Sequence, residues 1–163
     1  MAKRQAQKTD WPLLAAFILA CELAGVLGGL ATAGSVTTWY PTLVKPAFSP
    51  PNWVFAPVWT LLYAMMGIAA YLIYRKGMGK TAVRFALLVF ALQLLINLKW
   101  SLIFFGLHSI SGALLAILVL WALIALTIYK FYKIDKQAAY WMIPYLAWVS
   151  FAALLNAALW LLN

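Results

Sequence analysis

Amide, aromatic and hydroxyl side chains recur at helical spacing within one long apolar segment of the sequence. They occupy positions i, i+4, i+7 and i+8, which form one face of an α-helix: Gln93, Asn97, Trp100 and Ser101. Exposing an amide to hydrocarbon is costly, so this face is expected to turn toward the inside of a helix bundle.

Two further segments carry comparable faces that are mainly aromatic. One has positions i, i+3, i+7 and i+11 occupied by Tyr145, Trp148, Ala152 and Asn156, and the other has positions i, i+4 and i+8 occupied by Phe55, Trp59 and Tyr63. Three such faces turned together would line a cavity with flat rings and a few hydrogen-bonding groups. This composition is typical of a pocket for a flat, apolar ligand.

The alternative is that these residues only hold the helices together or mark the membrane surface. Asn97, Ser101 and Asn156 can join helices by hydrogen bonds without binding anything. Tryptophan is also enriched at membrane interfaces, and we favour this interpretation for the tryptophans near predicted helix ends: Trp11, Trp39, Trp53 and Trp160. For Trp59, Trp100 and Trp148 we favour the pocket.

Several kinds of chemistry lack the residues they need. The chain has one histidine, one cysteine and three acids, so a metal site built from several histidines cannot be assembled. A Ser-His-Asp triad would need His108 and an acid from opposite sides of the membrane. We therefore expect neither a hydrolytic site nor a metal site, and no obligatory cofactor.

Composition places these residues in membrane helices. The chain has 163 residues, of which 67% are hydrophobic and 9% charged, whereas soluble domains are about half apolar and a quarter charged. Five apolar segments are each long enough to span a bilayer: residues 11–33, 52–74, 83–105, 110–131 and 138–161. The expected fold is an all-α integral membrane bundle of five transmembrane helices, forming a single domain over residues 1–163.

The net charge of +9 follows the positive-inside rule rather than indicating a nucleic-acid partner. Cations cluster before the first segment, between the second and third, and between the fourth and fifth: Lys3, Arg4, Lys8, Arg75, Lys76, Lys80, Arg84, Lys130, Lys133 and Lys136. This pattern predicts a cytoplasmic N-terminus and an external C-terminus. A polybasic, lipid-binding surface is compatible with the same pattern.

Three further features of the sequence concern helix packing, buried charge and the first connection. Gly25 and Gly29 form a GxxxG pattern, which fits either packing within one chain or a homodimer seam. Glu22 and Lys99 are ionisable groups inside predicted spans, and they could pair only if the first and third helices are neighbours. A stiff loop at residues 34–51, rich in proline and aromatic residues, is expected to close over something.

Three motifs in the sequence resemble those of the TspO/MBR family, the tryptophan-rich sensory proteins and translocator proteins. The first runs through Trp39-Tyr40, Lys45-Pro46-x-Phe48-x-Pro50-Pro51-x-Trp53 and on to Trp59 and Tyr63. The others are Asn97-x-x-Trp100-Ser101-x-x-Phe104-Phe105-Gly106 and Pro144-Tyr145-x-x-Trp148-x-x-Phe151-Ala152-x-x-Leu155-Asn156. The resemblance covers nearly the whole chain after the first ten residues.

This resemblance implies a five-helix bundle, commonly homodimeric, with a ligand pocket under the loop between the first two helices. It implies protoporphyrin, haem and similar flat apolar molecules as ligands, with a sensing or regulatory role. The implied ligand-binding residues are Tyr40, Pro50, Trp59, Asn97, Trp100, Trp148 and Ala152. Trp59 and Trp148 match tryptophans that are linked, in some bacterial members, to light-dependent breakdown of protoporphyrin.

The leading expectation is a membrane receptor that binds these ligands. The first alternative is a light-dependent, protoporphyrin-degrading catalyst that uses Trp59 and Trp148. The second is a transporter of porphyrins or other apolar molecules. The expected location is a plasma (inner) membrane, with lipid, an apolar small molecule and a second copy of the chain as partners. Glu22 and Lys99 depart from the family pattern, and both could alter the preferred charge of a ligand. The animal sterol motif is missing from the end of the fifth segment.

Overall fold

Five long helices, joined by short connections, make up the part of the chain that the computed structural model describes, residues 9–163. They are α1 (Trp11–Thr38), α2 (Phe55–Tyr74), α3 (Thr81–Ser101), α4 (Ile110–Ile134) and α5 (Lys136–Leu162). Short 3-10 turns at Tyr40–Thr42 and Asn52–Val54 lie in the connection between α1 and α2, and a π-helical turn at Leu102–Gly106 extends α3.

All five helices are long and apolar enough to cross a membrane, and residues 9–163 contain no β-strand. The prediction of an all-α, multi-pass membrane bundle is thereby confirmed. The cations predicted to precede the first helix, Lys3, Arg4 and Lys8, lie outside the described residues.

Aspartate side chains begin two of the helices. The backbone N–H of Leu13 donates to Oδ1 of Asp10 at 3.1 Å, which caps α1 as such residues commonly do. Asp135 separates α4 from α5 by a single residue and accepts from the N–H groups of Gln137 and Ala138, at 2.8 and 3.3 Å.

The observed helix ends differ from the predicted ones at several places. The predicted loop over residues 34–51 was wrong for residues 34–38, because α1 continues to Thr38. The hydroxyls of Thr37 and Thr38 both donate to the Gly34 carbonyl, at 2.9 and 2.8 Å. Hydropathy reports where a chain can meet lipid, but a helix can continue past that boundary when its backbone groups find partners.

The helices form a closed ring in the order α1, α2, α5, α4, α3. Three of the four consecutive pairs pack as extensive neighbours, as the short connections predicted. The fourth pair departs from that expectation, since α2 packs mainly against α1 and α5 rather than against α3.

Glycine allows α1 and α2 to approach closely. A Cβ atom on Gly67 would lie 2.5 Å from the Cα of Ile18, so no other residue fits there without moving a backbone. The outer surface of the ring is apolar, with Leu19, Leu30 and Leu115 exposed. Such a surface suits contact with lipid.

Candidate ligand-binding cavity

A cavity of about 410 Å³ lies inside the ring, bounded by α1, α2, α3 with its π-helical turn, and α5. This volume falls within the range of small-molecule sites. Aromatic rings make up much of its wall: Tyr40, Phe55, Trp59, Tyr63, Trp100, Phe104 and Phe105.

The structure brings together five of the seven residues that the resemblance implied as ligand-binding. Tyr40, Trp59, Asn97, Trp100 and Ala152 all line the cavity. Pro50 and Trp148 are not among the residues that line it.

The aromatic ring of Phe55 lies between Trp148 and the cavity. Its indole meets the Phe55 ring nearly edge-on, at 5.9 Å between centroids, and it also contacts Phe151 at 5.5 Å. Its Nε1 is buried without a hydrogen-bond partner. Trp148 therefore supports the cavity wall from behind Phe55 and borders a separate depression beside Pro144.

A chain of buried hydrogen bonds joins three helices along one side of the cavity. The Tyr63 hydroxyl donates to Oδ1 of Asn97 at 2.7 Å, and Nδ2 of Asn97 donates to the Tyr145 hydroxyl at 2.9 Å. Tyr145 in turn donates to Oε1 of Gln93 at 3.0 Å. These bonds link α2, α3 and α5, and they already engage both ends of the Asn97 amide.

A second group of hydrogen bonds involves the other predicted amide. Nε1 of Trp100 donates to Oδ1 of Asn156 at 3.2 Å, and Nδ2 of Asn156 donates to the Ile110 carbonyl at 3.0 Å. Asn97 and Asn156 also line the cavity. The same side chains therefore join helices and form part of the cavity wall, and their contact with a ligand stays a prediction.

The aromatic wall is braced by ring contacts. Trp59 lies 5.6 Å from Tyr63 and 6.2 Å from Tyr145, while Trp100 stacks on Phe104 at 5.9 Å. Phe104 and Phe105 belong to one of the three family motifs, but the sequence analysis did not predict that they line a pocket. The signal was available for Phe104, which follows Trp100 at i+4 and so continues the inward face of α3.

The connection between α1 and α2 packs against the end of the bundle, as predicted for a loop that closes over something. Tyr40 is buried, and Nζ of Lys45 lies 4.3 Å from the centre of its ring. The Asn163 side chain accepts from the N–H of Val44 and donates to its carbonyl, at 2.9 and 3.0 Å. These contacts fasten the loop to the end of α5.

Trp39 behaves differently from the other tryptophans assigned to the membrane interface. Its ring stacks on His108 at 4.4 Å, so it joins the loop to the α3–α4 connection. Trp11, Trp53 and Trp160 are exposed, as an interfacial position requires.

The two GxxxG glycines differ in their surroundings, since Gly25 packs within this chain and Gly29 is exposed. Gly25 and Gly29 both line the cavity, and a Cβ on Gly25 would overlap the Tyr63 ring. The close approach at Gly25 is therefore an α1–α2 contact within one chain, and the homodimer remains a prediction.

Charged groups are distributed unevenly around the site. Glu22 lines the cavity, whereas Lys99 is exposed. Helices α1 and α3 do pack together, but the only ion pair within residues 9–163 joins Lys76 to Asp135, so the Glu22–Lys99 pair is not formed. The same residues contain no group of three or more His, Cys, Asp or Glu side chains that could hold a metal ion.

The ion pair lies at the end of the bundle where α2 stops and α5 begins. Partial burial raises the pKa of the Asp135 carboxyl. The hydrogen bond and charge of Lys76, with the N–H groups of Ala138 and Gln137, lower that pKa further than burial raises it. The net result is a pKa below the ordinary value for aspartate.

Comparison with known proteins agrees with this architecture. A family model described as the TspO/MBR family matches residues 17–161. The chain is 42% identical over 150 residues to Tryptophan-rich protein TspO of Chlorobaculum tepidum, with 92% of this chain and 95% of that protein covered. It is 36% identical over 148 residues to a Tryptophan-rich sensory protein of Cereibacter sphaeroides, covering 90% and 89%.

An animal protein is similar over the same length. Identity to the Translocator protein of Bos taurus is 37% over 152 residues, covering 92% of this chain and 89% of that one. The segment that the family model matches extends into all five helices. It contains every residue of the cavity wall, from Glu22 to Leu159. This chain therefore belongs to the TspO/MBR family.

Proposed function

We propose that the protein is a membrane receptor for tetrapyrroles, such as protoporphyrin and haem, and for similar flat apolar ligands. The observation that carries this proposal is the cavity itself, a space of about 410 Å³ walled by aromatic rings inside a membrane bundle. Flat ring systems bind well between aromatic side chains, and an apolar ligand can reach such a site from lipid.

The names of two relatives support a sensing or regulatory role for the bound state. One relative is called a tryptophan-rich sensory protein and another a translocator protein. We infer that the ligand reports on porphyrin metabolism or stress, and that the receptor acts as a homodimer in a plasma (inner) membrane.

The position of the tryptophans favours binding over photochemistry. A light-dependent catalyst that used both tryptophans would need both beside the ligand, and only Trp59 lines the cavity. Trp148 lies behind Phe55, at 5.9 Å between ring centroids.

Titration of the purified protein with protoporphyrin, haem and an isoquinoline carboxamide tests the proposal. Saturable quenching of tryptophan fluorescence at one site per chain is expected, and competition between the three ligands would show that they share the cavity. Absence of saturable binding would overturn the proposal that the protein is a receptor for these ligands.

Two further measurements on the purified protein distinguish the receptor from the light-dependent catalyst and from the transporter. Illumination of the protoporphyrin complex would yield a new porphyrin-derived product from a catalyst, whereas a receptor returns the ligand unchanged. Flux of protoporphyrin into proteoliposomes, above that into empty liposomes, would indicate a transporter.

A further inference from the structure

Glu22 places a carboxyl group on the wall of the cavity. It lies near the midpoint of the apolar stretch Trp11–Ala31, three residues before Gly25 and therefore on the same face of α1. Gly25 adjoins the Tyr63 ring, and both residues line the cavity with Glu22. Helix α1 thus places this partly buried acid on the cavity wall.

Glu22 has no charged counterpart. Among the described residues that line the cavity it is the only acid, and none of them is Lys, Arg or His. Its carboxyl makes no hydrogen bond or ion pair within residues 9–163. An acidic group near the middle of a bilayer is costly to keep, and such a residue is by default a candidate for function.

The amides nearby cannot substitute for Glu22 in meeting a polar ligand. Both ends of Asn97 are engaged by Tyr63 and Tyr145, and both ends of Asn156 by Trp100 and the Ile110 carbonyl. Glu22 is therefore the strongest hydrogen-bond acceptor on the wall that has no partner in the protein.

The nearest cation at the loop is too distant to neutralise this acid. Lys45 stacks on Tyr40, beyond the end of α1. The rise of α1 from Glu22 to Thr38 is about 24 Å, at 1.5 Å per residue. This separation exceeds the distance over which charges pair directly, so Lys45 does not neutralise Glu22.

We propose that Glu22 determines the charge preference of the site. It selects flat apolar ligands that present an ammonium or N–H donor, and it disfavours the same ring system bearing a carboxylate at that place. The ligand donates a charge-assisted hydrogen bond to the Glu22 carboxylate. This inference rests on the proposed function, because it concerns the same cavity.

Three porphyrins that share one ring test the inference. Protoporphyrin carries two propionates, its dimethyl ester is neutral, and its bis-amide with ethylenediamine carries two ammonium groups. Each is titrated into the full-length protein in nanodiscs of neutral lipid. The parent is expected to bind the ammonium form most tightly and the acid least tightly.

Variants at Glu22 then assign the preference to one side chain. Glu22→Gln should lower the ratio of ammonium to acid affinity about tenfold, which is the difference between a charged and a neutral hydrogen bond. Glu22→Asp should retain the preference. Lys99→Gln changes the charge of the exposed face of α3 and should retain it as well.

The possible outcomes distinguish a failure of this inference from a failure of the proposed receptor function. If Glu22→Gln still binds the ester and keeps the parent's ratio of ammonium to acid affinity, the proposed role of Glu22 is overturned and the proposed receptor function stands. If the parent fails to bind the neutral ester, the proposed function is overturned, and the inference falls with it.

Discussion

Trp59 presents its indole ring to the cavity from the second turn of α2. Tyr63 and Tyr145 contact that ring at 5.6 and 6.2 Å between centroids, and the hydroxyls of both tyrosines are fixed by Asn97. The ring is thus held in place before a ligand arrives, and little side-chain entropy is lost on binding.

Trp59→Ala should weaken protoporphyrin binding about fivefold or more, because an aromatic contact is worth roughly 1 kcal/mol. Trp59→Phe retains a flat apolar face and should keep most of the affinity. Trp148→Ala should have the smaller effect, since Phe55 stands between Trp148 and the cavity. Fluorescence titration measures all three, with the exposed Trp160→Ala as control. Parent-like affinity in Trp59→Ala would contradict the assignment.

Asn97 acts on stability more than on ligand contact. Asn97→Ala removes the acceptor of Tyr63 and a donor to Tyr145, and lost hydrogen bonds between membrane helices cost about 0.6–2 kcal/mol each. The melting temperature in detergent should therefore fall. Asn52→Ala, which also changes an amide that lines the cavity, removes no hydrogen bond to another helix and should melt as the parent does. Equal melting of the two variants would exclude this role.

At the scale of elements, α1 contributes a glycine-lined face to the cavity, and its close contact with α2 depends on having no side chain at two places. Gly67 allows the α1 backbone to approach, and Gly25 leaves room for the Tyr63 ring. A substitution at Gly25 therefore perturbs the fold of a single chain, and it cannot by itself report on a dimer.

Gly29→Leu is the cleaner test of the homodimer, because a Cβ there would meet no atom of the chain within 4 Å. If α1 forms the seam, this variant should shift the protein toward monomer in analytical ultracentrifugation, while Gly25→Ala should mainly lower the melting temperature. A dimeric Gly29→Leu protein would place the interface on another face. Gly34→Leu, which also has open space around its Cβ, serves as the matched control.

The Lys76–Asp135 pair ties the end of α2 to the turn between α4 and α5. Because the pKa of Asp135 is lowered from its ordinary 3.8, the pair contributes stability that is present above that value. This contribution is lost as the pH falls below 3.8 through the lowered pKa. Melting of the parent and of Asp135→Asn should therefore differ near neutral pH and converge in acid. A difference that is independent of pH would exclude the ion pair as its cause.

At the scale of the whole molecule, most of the described cations lie at one end of the bundle. Lys76 pairs with Asp135 there, and Lys130 lies 5.1 Å from the Phe85 ring near the start of α3. The N-terminus of α1 is at the same end, since the Asp10 N–H donates to the Tyr71 hydroxyl at 2.8 Å. This arrangement suits the cytoplasmic side of a membrane.

The orientation can be tested with single cysteines in a Cys21→Ala background. Ala47→Cys, in the loop between α1 and α2, should react with an impermeant thiol reagent on intact cells. Gly79→Cys, between α2 and α3, should react only after the membrane is opened. Both residues are exposed, so accessibility of the side chain does not limit labelling. The reverse pattern would place the N-terminus outside.

The sequence by itself determined the five helices, the membrane and five of the seven aromatic residues in the cavity wall. These follow from local properties: a helix must satisfy its own backbone hydrogen bonds in lipid, and amide-bearing or aromatic faces turn inward because exposing polar groups to lipid is costly. Periodicity could therefore assign Trp59, Asn97, Trp100 and Ala152 to one interior. The motifs that resemble the TspO/MBR family added Tyr40.

Only the tertiary structure decided how each helix is rotated and which helix it meets. Trp148 is about 60° around α5 from Tyr145, at 100° per residue, and the packing of α5 turns that edge behind Phe55. The saturation of Asn97 and the placement of Glu22 in the wall also depend on neighbouring helices. Spacing shows which residues share a face, whereas the partner of that face is set by side-chain contacts summed over the whole bundle.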